Sequence, residues 1–376
     1  MTAIWSRFRL LLALSAVAAP AAMASQPEDE ATYRATFSAE NLGSNRPGPS
    51  VVQGFTMHYR GAVPNSAFAM ARAEDGRSAW GLASGRPSPD AAQQDALRLC
   101  RESTEGARGG PIAAPCVVVA VNGRVNGRPP LPPQGPAAIG PFRPNPWQLW
   151  RGPEAARGVV VWQHGYEGPE VDLRGNVTPG FVSALNNAGW DVLRFDRPPG
   201  DDALHSTLPL LVNALPLLRP WRQVVLAGHS RGAWQSLLAA AQAPGLVDGI
   251  IAASPAAHGE VAGTPRVPVA LADFRRHLAG LGADRPALLV LLFENDQFDP
   301  DAPARAAAVN ELSARRPAPT LAIFPRGPAQ GGIVQGHNGV FDWRFTRDYA
   351  ACVLTAMTLP QASAPRGVRR DSCGGG

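Results

Sequence analysis

The chain has 376 residues, 45% hydrophobic and 17% charged, a balance that excludes a disordered protein and allows one large domain with a smaller one beside it. Its formal charge is +5, and all 35 basic residues are arginine. The arginines are scattered among acids, with no basic run interleaved with aromatics, which argues against a nucleic-acid surface.

The first segment reads as a leader. "MTAIWSRFR" carries Arg7 and Arg9, "LLLALSAVAA" is a short apolar core, and Ala22-Met23-Ala24 offers an Ala-x-Ala cleavage site. The apolar run is too short to span a bilayer comfortably, which counts against the alternative of an uncleaved anchor. The expectation is a signal peptide over 1–24, cleaved after Ala24, a periplasmic or secreted product and no stable membrane insertion afterwards. Cleavage removes two arginines and no acid, taking the charge from +5 to +3.

Residues 25–63 are expected to form a poorly ordered arm, polar and rich in Gly and Pro at its start. From 64 to 123 the pattern predicts a small β-β-α-β domain. Two apolar runs flank Asp75-Gly76, a hairpin signal. Ser88 can cap a helix on which Ala92, Ala96, Leu97 and Cys100 recur at helical spacing, and "CVVVAVNG" reads as a buried strand. A Pro/Gly-rich linker, 124–146, is too proline-laden for regular ladders. Over 147–360, apolar strands alternate with amphipathic helices, with Pro216 breaking or kinking one of them. That order predicts an α/β fold, a mostly parallel sheet with helices on both faces. Residues 361–376 are a tail. The four cysteines allow three pairings; Cys100–Cys116 and Cys352–Cys373 are expected because each pair lies within one predicted unit. No C-x-x-C occurs and no histidine stands at zinc-finger spacing, so no metal is expected.

One turn carries the chemistry. In "VVLAGHSRGA" a strand ends at Ser230 and a helix begins, with Gly228 and Gly232 at the flanking G-x-S-x-G positions. This is the nucleophile-elbow pattern, in which only small residues fit at −2 and +2. A serine hydroxyl needs a base. Among seven histidines, His337 in "GHNG" follows the last strand at the same sheet edge as the elbow. His229 adjoins the serine but points away, His164 closes the first strand of the sheet, and His277 reads as a solvated helix residue. The base needs an orienting carboxylate. Asp296 in "FENDQFDP" is the choice, with Asp299 and Glu294 as rivals that could instead cap the next helix. The oxyanion donors are expected to be the backbone N–H groups of Arg231 and of Tyr166 in "HGYEG".

These residues support a resemblance. From Trp147 to about Leu359, "VVVWQHGYEG", "WDVLRFDRP", "LAGHSRGAW", "FENDQFDP" and "GHNGVF" look like a secreted bacterial member of the α/β-hydrolase superfamily. The resemblance implies Ser230 as nucleophile, His337 as base, Asp296 as acid, and Arg231 with Tyr166 as oxyanion hole, without a cofactor. Phe293 stands where many relatives have Gly. Residues 64–123 resemble a small Cys-containing domain of secreted bacterial proteins, which implies no chemistry and reads as a binding or packing module. The expected function is hydrolysis of a carboxylic ester or related acyl bond on a small-molecule or polymer-borne substrate. The alternatives are a serine peptidase of the same fold and a non-catalytic binding protein. No long cap is visible after "IIAASP", which suggests an open cleft. Trp162, Trp190 and Trp234 either line it or pack in the core, and Arg231 either attracts an anionic acyl group or pairs with an acid such as Glu167. Oligomeric state is not legible.

Overall fold

A computed structural model describes residues 51, 54–55, 59, 65–73, 77–107, 110–122, 124–125, 136–144, 148, 150–166, 168–169, 173–174, 178–198, 202–326, 334–359 and 363–373. The expected leader, most of the arm and the Asp75-Gly76 turn lie outside the described residues. No helix among the described residues is long and apolar enough to cross a membrane.

The N-terminal part is a four-stranded antiparallel sheet in the order β2-β1-β3-β4, built from β1 (Ala67–Arg72), β2 (Ser78–Ala83), β3 (Val117–Val121) and β4 (Arg124–Val125). Helix α1 (Pro89–Glu105) begins where the Ser88 side chain accepts the Ala91 N–H at 3.1 Å. It lies on the sheet face formed by Ala67, Ala69, Ala71 and Ala83. Gly81 permits this approach, since a Cβ there would come within 2.8 Å of the helix backbone at Leu99. Cys100 and Cys116 are bridged, with Cα atoms 6.1 Å apart, tying the helix to the strand that follows it. The opposite face of the sheet packs Phe68 and Met70 against Val51, Phe55 and Tyr59. The small domain's core therefore reaches upstream of residue 64, into the expected arm. The missed signal is Val51, Phe55 and Tyr59 themselves, spaced four apart.

The large sheet has the order β12-β11-β10-β9-β8-β6-β7-β5. Its central strands are β6 (Val159–Gln163), β7 (Asp191–Phe195), β8 (Val224–His229), β9 (Gly249–Ala253), β10 (Ala287–Leu291) and β11 (Thr320–Ile323), all parallel. Alternation sorts each strand between two cores. Val159, Val161, Leu226, Ile250 and Leu288 face α3 (Leu204–Ala214), α4 (Arg231–Gln242), α5 (Val267–Ala279) and α6 (Ala302–Arg315). Val160, Val225, Ile251 and Leu289 face α2 (Gly180–Asn187) and α7 (Trp343–Thr358). A parallel sheet buried on both faces in this order, with one antiparallel strand at the edge, is the α/β-hydrolase fold.

Two sequence expectations are corrected at the sheet edges. The linker contributes β5 (Phe142–Pro144), antiparallel to β7, in which Pro144 is tolerated because an edge strand pairs on one side only. The tail contributes β12 (Gly367–Arg369), parallel to β11, and is tied to α7 by the Cys352–Cys373 bridge, with Cα atoms 5.4 Å apart. Pro216 falls where α3 gives way to a short 3-10 turn, Leu215–Leu218.

Candidate functional site

The elbow forms where β8 runs directly into α4. Ser230 sits at φ 54° and ψ −119°, a left-handed backbone that L-residues adopt only under tertiary constraint. The constraint is a pair of close approaches. A Cβ on Gly228 would lie 2.6 Å from the Ala233 nitrogen, and one on Gly232 would lie 2.6 Å from the His164 carbonyl oxygen. The two glycines thus let α4 fold back on its own strand and press against the end of β6. The Ser230 amide donates to Ala253 at 2.9 Å, which fixes the turn to the neighbouring strand.

His337 and Asp296 meet at the same edge. His337 Nδ1 stands 2.9 Å from both Asp296 oxygens, and both residues are buried. Asp296 Oδ1 also accepts the amides of Phe298 at 2.9 Å and Asp299 at 3.1 Å. The rivals are engaged elsewhere: Asp299 in a buried ion pair with Arg305, and Glu294 with Arg370 at 2.8 Å. Phe293 has its own task. Gly339 stacks on its ring, where a Cβ would come within 2.6 Å, so the turn after His337 rests on the residue that departs from the expected glycine.

Ser230 and His337 line one cavity of about 900 Å³, together with Tyr166 and Arg231. Arg231 is the first residue of α4, and its amide is one of those a helix leaves without an intrahelical acceptor. The loop bearing Tyr166 is held by Arg197, which is fully buried. Its guanidinium pairs with Asp202 and donates to the carbonyls of His164 at 2.6 Å and Gly165 at 3.1 Å. The Arg197 amide donates to His164 Nε2 at 2.9 Å, so His164 carries its proton on Nδ1 and gives it to the Gly165 carbonyl at 2.7 Å. His164 is therefore a loop brace. Arg231 donates to the Asp202 carbonyl at 2.8 Å and lies 4.0 Å above the Tyr166 ring. Glu167, its suggested partner, lies outside the described residues.

Other expectations shift. All three tryptophans pack in the two cores, Trp162 and Trp190 in one and Trp234 in the other, and Trp162 also lines the cavity. His277 is not simply solvated: it packs edge-on against Trp234, with ring centroids 5.0 Å apart. His229 lines the cavity too, and its Nε2–H donates to the His337 carbonyl at 2.9 Å. Burial, and then the neighbouring His337 ring, hold His229 down from 6.5 to about 3. Below pH 6.5 the unfolded chain takes up a proton that the folded chain refuses, so stability falls by about 1.4 kcal/mol per pH unit through this group, down toward its folded value. A His229→Gln variant should lose about 2 kcal/mol less than wild type between pH 7 and pH 5 in urea unfolding; an unchanged difference would place the acid sensitivity in other groups.

No protein-family model matches the chain, and no curated protein does. Among solved structures it is similar to Est1E from Butyrivibrio proteoclasticus, at 16% identity over 55% of this chain and 92% of that one, with a TM-score of 0.34. It is similar to a monoacylglycerol lipase from Paleococcus ferrophilus, at 19% identity over 49% and 87% of the two chains, TM-score 0.33. It is also similar to a prolyl endopeptidase, at 15% identity and TM-score 0.36, covering 50% of this chain and about a third (32%) of the endopeptidase chain.

Proposed function

We propose that the protein is an exported serine hydrolase that cleaves a carboxylic ester through an acyl-enzyme on Ser230. The observation that carries this reading is the strained Ser230 elbow opening into the cavity that holds His337, whose Nδ1 is fixed by Asp296. In the first half-reaction Ser230 Oγ attacks the ester carbonyl carbon, and His337 Nε2 takes the hydroxyl proton. The oxyanion is met by the N–H groups of Arg231 and Tyr166, where removal of one such donor costs about 10²–10³ in rate. Collapse breaks the ester C–O bond, and His337 returns the proton to the departing alcohol. In the second half-reaction a water molecule, deprotonated by His337, attacks the acyl carbon and releases the acid and Ser230. This route asks for no metal or cofactor. Export is supported by the leader pattern and by two cystine bridges, which persist in oxidising compartments.

Fluorophosphonate treatment of the purified chain should add one adduct that maps to Ser230 and is lost in Ser230→Ala. The chain should hydrolyse p-nitrophenyl butyrate and leave aminoacyl p-nitroanilides intact. Hydrolysis of the anilides would move the reading to a peptidase, and a folded chain without adduct or turnover would move it to a binding protein.

A further inference from the structure

The cavity over Ser230 is not bounded by the large domain alone. The connection from β9 to α5 holds no helix or strand that could cover it. Instead β2 and the turn after it supply one wall, through the Trp80 and Leu82 face of the strand and, at its end, Ala83, Ser84 and Arg86. The pleat of β2 explains why. Ala79, Gly81 and Ala83 turn to the buried side, with Gly81 against α1, which leaves Trp80 and Leu82 on the other face, only partly buried.

Trp80 is held before any ligand arrives. Its ring stacks on Phe68, with centroids 5.5 Å apart and planes 16° from parallel. Gly54 lies against the same indole, where a Cβ would come within 2.6 Å. A fixed aromatic surface binds without the cost of ordering a mobile side chain. From the large domain Phe298 and Phe341 line the same space, and each also packs on a site histidine, Phe298 on His337 at 4.4 Å and Phe341 on His229 at 5.1 Å. The two cations of the lining are engaged. Arg86 donates to Asp95 at 2.6 Å, and Arg231 is committed to Tyr166 and the Asp202 carbonyl. Asp95 neutralises Arg86, whereas the ring and the carbonyl that hold Arg231 carry no charge, so the space offers flat apolar surface beside one guanidinium. At about 900 Å³ it is at the large end of ligand pockets, roughly 300–1,000 Å³, and far exceeds an acetyl ester.

We infer that the small disulfide-bonded domain is the substrate-selecting wall of the site, and that Trp80 and Leu82 bind the bulky aromatic part of an ester whose carbonyl reaches Ser230. This rests on the hydrolase reading above for its chemistry, but its binding half can be tested separately. In the Ser230→Ala chain, binding of intact 2-naphthyl butyrate is measured with and without Trp80→Ala. In the Ser230 chain, the ratio of kcat/KM for 2-naphthyl butyrate to that for ethyl acetate is measured for Trp80→Ala, Trp80→Phe and Leu82→Ala. Arg98→Ala, on the exposed face of α1, is the control.

The expected result is an approximately tenfold weaker Kd and a roughly tenfold lower ratio for Trp80→Ala. Most of both should be restored in Trp80→Phe, a smaller fall should appear in Leu82→Ala, and the control should not move. Melting curves identify any variant that has lost its fold, and Leu82→Ala, which deletes less, then carries the comparison. Unchanged binding, or an equal loss on both esters in a folded variant, would overturn the inference while leaving Ser230 chemistry standing. Trp80-dependent binding with no turnover of either ester would overturn the hydrolase reading and leave the wall standing.

Discussion

Asp296→Asn should fold normally and lose about 10⁴ in kcat, compared with an expected loss on the order of 10⁵–10⁶ for Ser230→Ala. The reason is a matter of proton direction. Asp296 Oδ1 accepts the amides of Phe298 and Asp299, and these backbone donors do not move. An asparagine must give them its one carbonyl oxygen, which turns its NH₂ group toward His337 Nδ1. A donor there forces the ring to accept at Nδ1 and to carry its proton on Nε2. In that tautomer it cannot receive the proton of Ser230. Glu294→Gln, which alters a carboxylate already paired with Arg370, should leave kcat close to wild type. Steady-state kinetics on p-nitrophenyl butyrate reads both. A near-normal Asp296→Asn enzyme together with an inactive Glu294→Gln would reassign the acid.

How much of this was legible beforehand follows from the range of the forces involved. The elbow is local: Gly228, Ser230 and Gly232 lie within one turn, and the steric demand that selects them is written in adjacent positions. The parallel sheet was equally readable, because β9 and β10 are apolar throughout and β6 and β8 nearly so, as double burial requires. The edges were not. β5 is hidden by prolines that an edge strand tolerates, and β12 is three residues long, too short for any alternation to show. The brace at Arg197 was invisible for another reason: its partners His164 and Gly165 are more than thirty positions upstream, and nothing in "FDRP" announces them. The same holds for Trp80, whose place over the cavity depends on how two sheets meet and not on its own strand.

Arg197→Met should cost about 3–5 kcal/mol in urea unfolding, because it strands the Asp202 carboxylate in the interior. Burial already pulls the Arg197 guanidinium below its ordinary value against the opposing pull of Asp202, so the two charges are tolerated only as a pair. The variant also removes the donor from two consecutive carbonyls of the loop that carries Tyr166. Activity should therefore fall by about 10²–10³ even where the variant is folded, as for a displaced oxyanion donor. The double variant Arg197→Met with Asp202→Leu separates the two effects. Replacing both charges with apolar groups should recover most of the stability. It cannot recover the carbonyl contacts, and kcat should stay low with KM little changed. A double variant that regains both would show that the brace stabilises the fold without orienting the loop.

The elbow belongs to one sheet and the aromatic wall above it to another, and the two are encoded in separate stretches of the chain. On the proposed hydrolase reading, variation in the small domain would re-aim the enzyme without passing through the residues that break the bond. The usual conflict between altering specificity and preserving chemistry would be relaxed by this division. An exchange of the stapled unit for another of the same topology is a natural route to new ligand ranges, with the large sheet kept as an unchanged chassis.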